Sequence, residues 1–268
     1  MPLAKIGDIN LYYELHGTGY PLVLIRGFGS NADHWNHQVP EFSKQYQTVV
    51  FDNRGIARSD KPNLPYTMSM MAGDVAGLMD ALSLKKAHLL GLSMGGMIAQ
   101  CFALEHPDRL NGLVLAGTHC GGSQAVQASE KIRKIMADLV MGVVPEDVLG
   151  AYRELFFTEE TGTNRPGLLK EYLDISMHHP NDLNMLLNQL AAVNSHDAFN
   201  DLPRIMAPTL VMTGDQDVLI PPENARILAE RIPGAELAGI RGGGHQFLVE
   251  QDQAFNTAVL EFLAKQPI

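Results

Sequence analysis

The 268-residue sequence predicts an α/β fold in which a mostly parallel central sheet is flanked by helices, with a helical cap inserted after the strand at 111–117. Two observations predict it. Short, almost wholly apolar runs recur along the chain, which is typical of strands buried on both faces of a parallel sheet. Segments with the spacing of amphipathic helices lie between these runs. Strands that alternate with helices form an open α/β sheet with right-handed crossovers.

The strand prediction depends on five apolar runs, at 21–25, 48–51, 87–92, 111–117 and 208–214. A segment near the N-terminus, INLYYELHG, alternates instead, which predicts an antiparallel hairpin at the edge of the sheet. Apolar residues at helical spacing predict helices over 74–84, 95–106 and 253–264.

The segment 122–200 has no run typical of a buried strand, but it has three apolar stripes at helical spacing. These stripes consist of Ile132, Ile135, Met136, Leu139 and Val140, of Leu168, Leu169, Tyr172 and Leu173, and of Leu183, Leu186, Leu187 and Leu190. We therefore expect a core domain formed by 1–121 and 201–268, and a helical cap, or lid, formed by 122–200. Its insertion point lies at the carboxyl edge of the sheet, where open α/β sheets bind ligands.

Composition excludes several classes of function. The net charge of −10 disfavours nucleic acid and anionic membrane surfaces as partners. No apolar run approaches the ~20 residues of a membrane-spanning helix, and the N-terminal segment lacks the apolar core of a secretory signal. We expect a cytoplasmic protein with a small-molecule partner, and the sequence leaves its oligomeric state open.

Cysteine and histidine spacing points to no metal or cofactor. Cys101 and Cys120 form neither a disulfide framework nor a CxxC motif. The adjacent histidines at 178–179 lack partner ligands at a convincing spacing. We therefore expect no metal site and no cofactor.

One serine stands in a setting suited to catalysis. The stretch HLLGLSMGGMIAQC, residues 88–101, places Ser93 between Gly91 and Gly95, where a predicted strand ends and a predicted helix begins. This matches the G-x-S-x-G elbow, a sharp turn that exposes a serine nucleophile. The alternative interpretation is an ordinary turn, because serine and glycine are both common in turns. The helix that starts after Ser93 directs backbone N–H groups toward a developing oxyanion.

Together with four other local matches, this elbow resembles lid-bearing members of the α/β-hydrolase superfamily, of the serine esterase and enol-lactonase type. The matches are RGFGS (26–30), FDNRGIARSD (51–60), GLSMGG (91–96), TGDQDVLIP (213–221) and GGGHQF (242–247). The resemblance covers nearly the whole chain and implies the α/β-hydrolase fold.

The resemblance also implies a catalytic triad in the chain order serine, acid, histidine. Ser93, Asp217 and His245 match that order, with Asp215 as the rival for the acid. The two backbone N–H groups of the oxyanion hole are expected from Phe28 and Met94.

The sequence departs from the family where the first loop usually begins His-Gly, because here it begins Arg26-Gly27. Two interpretations of Arg26 stay open: an ion pair with a nearby carboxylate, or recognition of a substrate carboxylate. Arg26 and Gly27 are expected to line the substrate pocket. His119 and Cys120, which follow the strand at 111–117, are candidates for the same pocket.

We predict a serine hydrolase that cleaves a small to medium carboxylic ester or lactone through an acyl-enzyme on Ser93. Within the same superfamily the alternatives are a carbon–carbon bond hydrolase of the meta-cleavage-product type and a cofactor-free haloperoxidase or perhydrolase. From a different class, the fold also serves as a small-molecule receptor with slow or absent turnover. Dehalogenases and epoxide hydrolases are disfavoured, because they need a carboxylate where this chain has Ser93.

Overall fold

A central sheet organises the chain, and the computed structural model describes residues 2–143 and 147–266. In these residues the strands are β1 (Leu3–Ile6), β2 (Ile9–His16), β3 (Tyr20–Ile25), β4 (Tyr46–Phe51), β5 (Ala87–Leu92), β6 (Leu110–Ala116), β7 (Thr209–Gly214) and β8 (Glu236–Ile240). They form one sheet in the order β1-β2-β4-β3-β5-β6-β7-β8. Strands β3 to β8 run parallel, while β1 and β2 form an antiparallel hairpin whose second strand pairs with β4.

Helices connect the parallel strands and cover the sheet. They are α1 (Val39–Phe42), α2 (Met68–Ala81), α3 (Met94–Glu105), α4 (Glu130–Val140), α5 (Val148–Phe156), α6 (Glu159–Asn164), α7 (Pro166–His178), α8 (Leu183–Ser195), α9 (Glu223–Arg231), α10 (Phe247–Glu250) and α11 (Asp252–Leu263). Short 3-10 turns lie at Ala32–Trp35, Pro107–Arg109, Gly122–Gln124 and Leu202–Arg204. Within the described ranges, no helix has the combination of length and apolarity needed to cross a bilayer.

Strands β3 to β7 each contribute to two apolar cores because their side chains alternate between the faces of the sheet. In β3, Val23 and Ile25 join the core beneath α2 and α3, whereas Leu22 and Leu24 join the core beneath α11. All four side chains are at most 1% exposed. Burial on both faces explains why these strands are continuous apolar runs in the sequence.

The observed architecture confirms the predicted α/β fold, with strand ends that shift by one or two residues. All five predicted parallel strands and the N-terminal hairpin are present. The strand β8 was not predicted, because only Ile240 of its five residues is buried and ELAGI has no apolar run.

Helices α4 to α8 lie between β6 and β7, in the segment 122–200 expected to form the cap; we call this range the cap segment. Residues 144–146 of this range lie outside the described residues. Two of its helices, α5 and α6, were not among the predicted stripes. They are only nine and six residues long, which is too short for a helical period of apolar residues to stand out in the sequence.

Candidate active site

Ser93 occupies a strained turn between β5 and α3. Its backbone angles are φ 57° and ψ −121°, in a region that non-glycine residues rarely adopt. Two hydrogen bonds hold the turn: the Ser93 N–H donates to the Ala116 carbonyl at 2.9 Å, and Thr118 Oγ1 donates to the Ser93 carbonyl at 2.7 Å. Ser93 is partly exposed, although the residues on both sides of it are buried. The turn therefore presents a hydroxyl at the carboxyl edge of the sheet.

The glycines around Ser93 are required by close backbone contacts. A Cβ at Gly91 would lie 2.2 Å from the Gly95 carbonyl oxygen, and a Cβ at Gly95 would lie 2.1 Å from the Ile25 carbonyl oxygen. Atoms cannot approach so closely, so only glycine fits at either position. The structure thus gives a steric reason for the spacing of glycines seen in the sequence.

His245 and Asp217 are joined by a hydrogen bond between His245 Nδ1 and Asp217 Oδ2 at 2.8 Å. Both residues are 3% exposed, and Oδ1 of Asp217 accepts the backbone N–H groups of Leu219 and Ile220 at 2.9 and 2.8 Å. Asp215, the rival acid, is exposed and accepts the N–H of Gly242 at 2.8 Å. Of these two aspartates, Asp217 is the one bonded to His245.

Ser93 and His245 both line a cavity of about 300 Å³. The loop after β3 contributes Arg26, Gly27 and Phe28 to its wall. The cap segment supplies most of the apolar remainder, namely Met136, Leu139, Val140, Tyr152, Phe156, Tyr172, Met177 and Leu186. The cavity therefore lies between the edge of the sheet and the cap segment.

The two predicted oxyanion donors belong to segments that adjoin Ser93. The loop after β3 passes against Ser93, since a Cβ at Gly27 would lie 3.0 Å from Ser93 Cβ. Phe28 follows in this loop, and Met94 is the first residue of α3. Neither backbone N–H has an acceptor among the described residues. Of the two residues, Phe28 lines the cavity.

The cap segment holds the loop after β3 through Gln189, a fully buried residue of α8. Gln189 Oε1 accepts the Gly29 N–H at 3.1 Å, and its Nε2 donates to the Arg54 carbonyl at 3.2 Å. Asn181 Nδ2 donates to the Gly29 carbonyl at 2.7 Å. The sequence analysis did not identify Gln189, because its partners lie more than 130 positions away in the chain.

The loop that carries His245 is held by a buried carboxylate, Glu250. Its Oε2 accepts the Gly244 N–H at 2.6 Å, and its Oε1 accepts the Thr158 N–H at 2.7 Å. The Gln246 N–H donates to the Phe156 carbonyl of the cap segment at 2.8 Å. Backbone on both sides of His245 is thereby fixed. The sequence analysis missed Glu250 as well, since no local motif marks it.

Arg26 has no carboxylate partner among the described residues, which does not support the ion-pair interpretation. Its side chain is 1% exposed, Nη2 donates to Gln246 Oε1 at 3.2 Å, and the guanidinium carbon lies 4.9 Å from the centre of the Trp35 ring. In the part of the chain that the structure describes, Nε and Nη1 have no hydrogen-bond partner. Burial lowers the pKa of Arg26 to about 10, so the side chain still carries its charge at neutral pH.

His119 and Cys120 are not among the residues that line this cavity, and their assignment to the substrate pocket stays a prediction. Their side chains contact the local backbone instead. His119 Nδ1 accepts the Gly121 N–H at 3.0 Å, and Cys120 Sγ donates to the Gly121 carbonyl at 3.4 Å. Gly121 in turn pairs with Asp197 in an isolated antiparallel bridge. The chain after β6 is therefore joined to the segment that follows α8.

Comparison with known proteins gives matches over nearly the whole chain. A family model described as the alpha/beta hydrolase fold matches residues 20–252. Among curated relatives, a protein of Azorhizobium caulinodans is 30% identical over 264 residues, and the match covers 98% of each chain. That relative is provisionally named carbamate hydrolase RutD.

Solved structures of hydrolases share this architecture. The enol-lactonase of Burkholderia xenovorans LB400 is 27% identical with a TM-score of 0.85, covering 98% of this chain and 100% of that one. A thermophilic esterase of Thermogutta terrifontis is 29% identical with a TM-score of 0.85, covering 98% of each chain.

Proposed function

Because the chain belongs to the α/β-hydrolase fold family, we propose that it is a serine hydrolase that cleaves small to medium carboxylic esters or lactones through an acyl-enzyme on Ser93. One observation carries the proposal. An imidazole bonded to a buried carboxylate, His245 with Asp217, lines the same cavity as a serine on a strained turn. A nucleophile, a base and an orienting acid in this arrangement are the components of serine acyl transfer.

In the first step, Ser93 Oγ attacks the carbonyl carbon of the substrate while His245 Nε2 takes the hydroxyl proton. Asp217 accepts a hydrogen bond from the Nδ1–H group of His245. This hydrogen bond fixes the imidazole tautomer and stabilises the imidazolium. The carbonyl oxygen becomes an oxyanion that the N–H groups of Phe28 and Met94 bind. Each such donor contributes about 3 kcal/mol to the transition state in serine hydrolases.

In the second step, the imidazolium returns the proton to the leaving alkoxide as the carbon–oxygen bond breaks. Ser93 remains acylated. A water molecule that gives its proton to His245 then attacks the acyl group, and the carboxylic acid leaves as Ser93 regains its proton. A lactone follows the same path, except that the leaving alkoxide stays attached to the acyl chain.

The size and lining of the cavity suit a small, partly apolar acyl group. A volume of about 300 Å³ lies at the lower end of the range of small-molecule sites, and leucine, methionine and aromatic side chains of the cap segment form much of the wall. We propose that the cap segment is a lid domain whose apolar residues select the acyl chain. Hydrophobic walls of this kind exclude water from the developing charge.

The test combines labelling of the serine with turnover. A fluorophosphonate probe is expected to form one adduct, on Ser93, detected by intact mass and peptide mapping. Ser93→Ala is expected to lose both the adduct and the hydrolysis of 4-nitrophenyl butyrate. Ser83→Ala is the matched control, because Ser83 shares the φ of 57° but is exposed and does not line the cavity. Full activity in Ser93→Ala would overturn the proposal.

A substrate panel separates the proposed chemistry from its rivals. Short acyl esters, γ- and δ-lactones and an alkyl carbamate are compared by kcat/KM. Preference for the carbamate would indicate that this protein acts on carbamates, as the names of the curated relatives say of those proteins. An adduct on Ser93 without turnover of any ester or lactone would favour a receptor, and cleavage of a vinylogous 1,5-diketone alone would favour carbon–carbon bond hydrolysis.

A further inference from the structure

Three aromatic side chains of the cap segment lie next to one another in the wall of the cavity. They are Tyr152 and Phe156 of α5 and Tyr172 of α7, and all three line the cavity. The ring centres of Tyr152 and Phe156 lie 5.5 Å apart, and those of Phe156 and Tyr172 lie 5.8 Å apart. Both distances are typical of aromatic pairs in contact. We call these three residues the aromatic wall.

One end of the aromatic wall lies against the proposed general base. The ring centre of Phe156 lies 6.1 Å from that of His245, and the two ring planes are tilted by 37°. The Phe156 carbonyl also accepts the N–H of Gln246, the residue after His245, at 2.8 Å. A ring contact and a backbone hydrogen bond therefore both hold Phe156 beside the histidine.

The chemistry of ester cleavage indicates which part of a substrate meets this end of the wall. In the proposed reaction, the imidazolium of His245 gives its proton to the oxygen of the leaving alkoxide. That oxygen must therefore come within hydrogen-bond distance of His245 Nε2. The carbon bonded to it lies only one bond further, so the alcohol part of the substrate begins beside Phe156.

The other apolar residues that the cap segment contributes to the cavity are aliphatic. Met136, Leu139 and Val140 belong to α4, Met177 to the end of α7 and Leu186 to α8. The cap segment thus takes its aromatic lining from α5 and the middle of α7, and its aliphatic lining from other parts. Aliphatic side chains accept an alkyl chain, whereas tilted rings offer edge-to-face and offset contacts that another ring can make.

We propose that the aromatic wall is the subsite for the alcohol part of the substrate, and that the preferred esters carry an aromatic ring on the ester oxygen, directly or through one carbon. This inference rests on the proposed ester hydrolysis and names the substrate class within it. It makes Phe156 a specificity-determining residue, and Tyr152 and Tyr172 complete the surface that receives the ring. The aliphatic lining is left to the acyl chain.

The test compares benzyl butyrate with cyclohexylmethyl butyrate, which share the acyl group and the methylene link and differ in whether the ring is aromatic. The readout is the ratio of their kcat/KM values, divided by the ratio of their rate constants for hydrolysis by hydroxide so that chemical reactivity cancels. The native protein is expected to favour the benzyl ester roughly 2- to 10-fold, as expected for an aromatic pair. No preference, or a preference for the cyclohexylmethyl ester, overturns the proposal.

Phe156→Leu keeps the site apolar and removes the ring, so the corrected ratio is expected to fall toward that of equal substrates. Phe199→Leu is the matched control. Phe199 is also half-buried, but its ring centre lies 4.4 Å from the guanidinium carbon of Arg231, and it is not among the residues that line the cavity. Its ratio is expected to equal the native one. An unchanged ratio in Phe156→Leu, or an equal fall in both variants, overturns the proposal.

A second pair of esters assigns the aromatic wall to one side of the substrate. Ethyl phenylacetate and ethyl cyclohexylacetate carry the same difference in the acyl group, and the native protein is expected to discriminate less between them. An equal or larger aromatic preference in the acyl group overturns the proposal. Failure of ester hydrolysis itself has a different signature, namely that the native protein turns over none of the four esters and the fluorophosphonate leaves Ser93 unlabelled.

A binding measurement covers the case in which Phe156→Leu does not fold. In the Ser93→Ala protein, where the ester stays intact, benzyl butyrate is expected to raise the unfolding temperature more than the same concentration of cyclohexylmethyl butyrate. Equal shifts, a larger shift from the cyclohexylmethyl ester, or no shift from either would overturn the proposal without any use of the Phe156 variant.

Discussion

Asp217 commits both carboxylate oxygens within the protein, Oδ2 to Nδ1 of His245 at 2.8 Å and Oδ1 to two backbone N–H groups of its own turn. The turn holds the carboxylate still, and the carboxylate holds the imidazole. The imidazole fixed in this way belongs to a residue that lines the same cavity as Ser93.

The first prediction separates the two aspartates of the GDQD sequence. Asp217→Asn is expected to lower kcat for 4-nitrophenyl butyrate roughly 10³- to 10⁴-fold, because an amide at this position favours the wrong imidazole tautomer. Asp215→Asn is the matched control and is expected to keep near-native kcat, since Asp215 is exposed and contacts Gly242 rather than His245. Steady-state kinetics on both variants decides the matter, and an equal loss in the two would contradict the assignment.

The second prediction concerns the sterics of the serine turn. Gly95→Ala is expected to destabilise the protein by about 3 kcal/mol or more, because the new Cβ would meet the Ile25 carbonyl oxygen at 2.1 Å. Gly73→Ala is the control. Gly73 lies exposed inside α2 with no atom within 4 Å of its added Cβ, so alanine is expected to stabilise by up to about 1 kcal/mol. Urea unfolding measures both, and near-native stability of Gly95→Ala would contradict the steric argument.

Features with local signals were predictable from the sequence. The parallel strands are apolar along their whole length because both faces are buried, and a run such as PLVLI shows this directly. The turn at Ser93 was predictable because its glycines have a fixed spacing in the sequence, although the contact that requires Gly95 comes from Ile25, 70 positions away. The histidine and the acid were found through their own short motifs, GGGHQF and TGDQD.

Features set by tertiary contacts were not predictable in the same way. Gln189 and Glu250 act on loops far away in the chain, and neither belongs to a motif. The environment of Arg26 is also a tertiary property, because its partner Gln246 lies 220 positions away in the chain. The bridge between Gly121 and Asp197, which follows His119 and Cys120, is a tertiary contact of the same kind.

The third prediction tests the hold of the cap segment on the loop after β3. Gln189→Leu removes the acceptor of the Gly29 N–H and the donor to the Arg54 carbonyl, which leaves the proposed oxyanion loop less constrained. We expect kcat to fall roughly tenfold, the worth of about one hydrogen bond, with a smaller change in KM. Leu187→Ala, at an exposed position of the same helix, is the control. A change in KM with an unaltered kcat would contradict a positioning role for Gln189.

The fourth prediction is a pH dependence of stability that originates at His88. This residue of β5 is fully buried against the rings of Tyr20 and Tyr46, whose centres lie 4.9 and 5.8 Å from its own. In the described residues its two ring nitrogens have no hydrogen-bond partner. Burial lowers the pKa of His88 to about 4 from an ordinary 6.5, because a charged imidazole is poorly solvated there.

Between those two values the unfolded chain binds a proton at His88 that the folded protein does not. Stability contributed by the neutral ring is therefore complete above about pH 6.5 and is lost as the pH falls toward 4. At pH 5 the loss is about 2 kcal/mol relative to pH 7.5. Urea unfolding measures the free energy of unfolding at both pH values, and His88→Leu is expected to lose about 2 kcal/mol less of it than the native protein. His178→Leu, at an exposed position of α7, is the control and is expected to follow the native protein. Parallel pH profiles for the native and His88→Leu proteins would show that the ring does not titrate in this range.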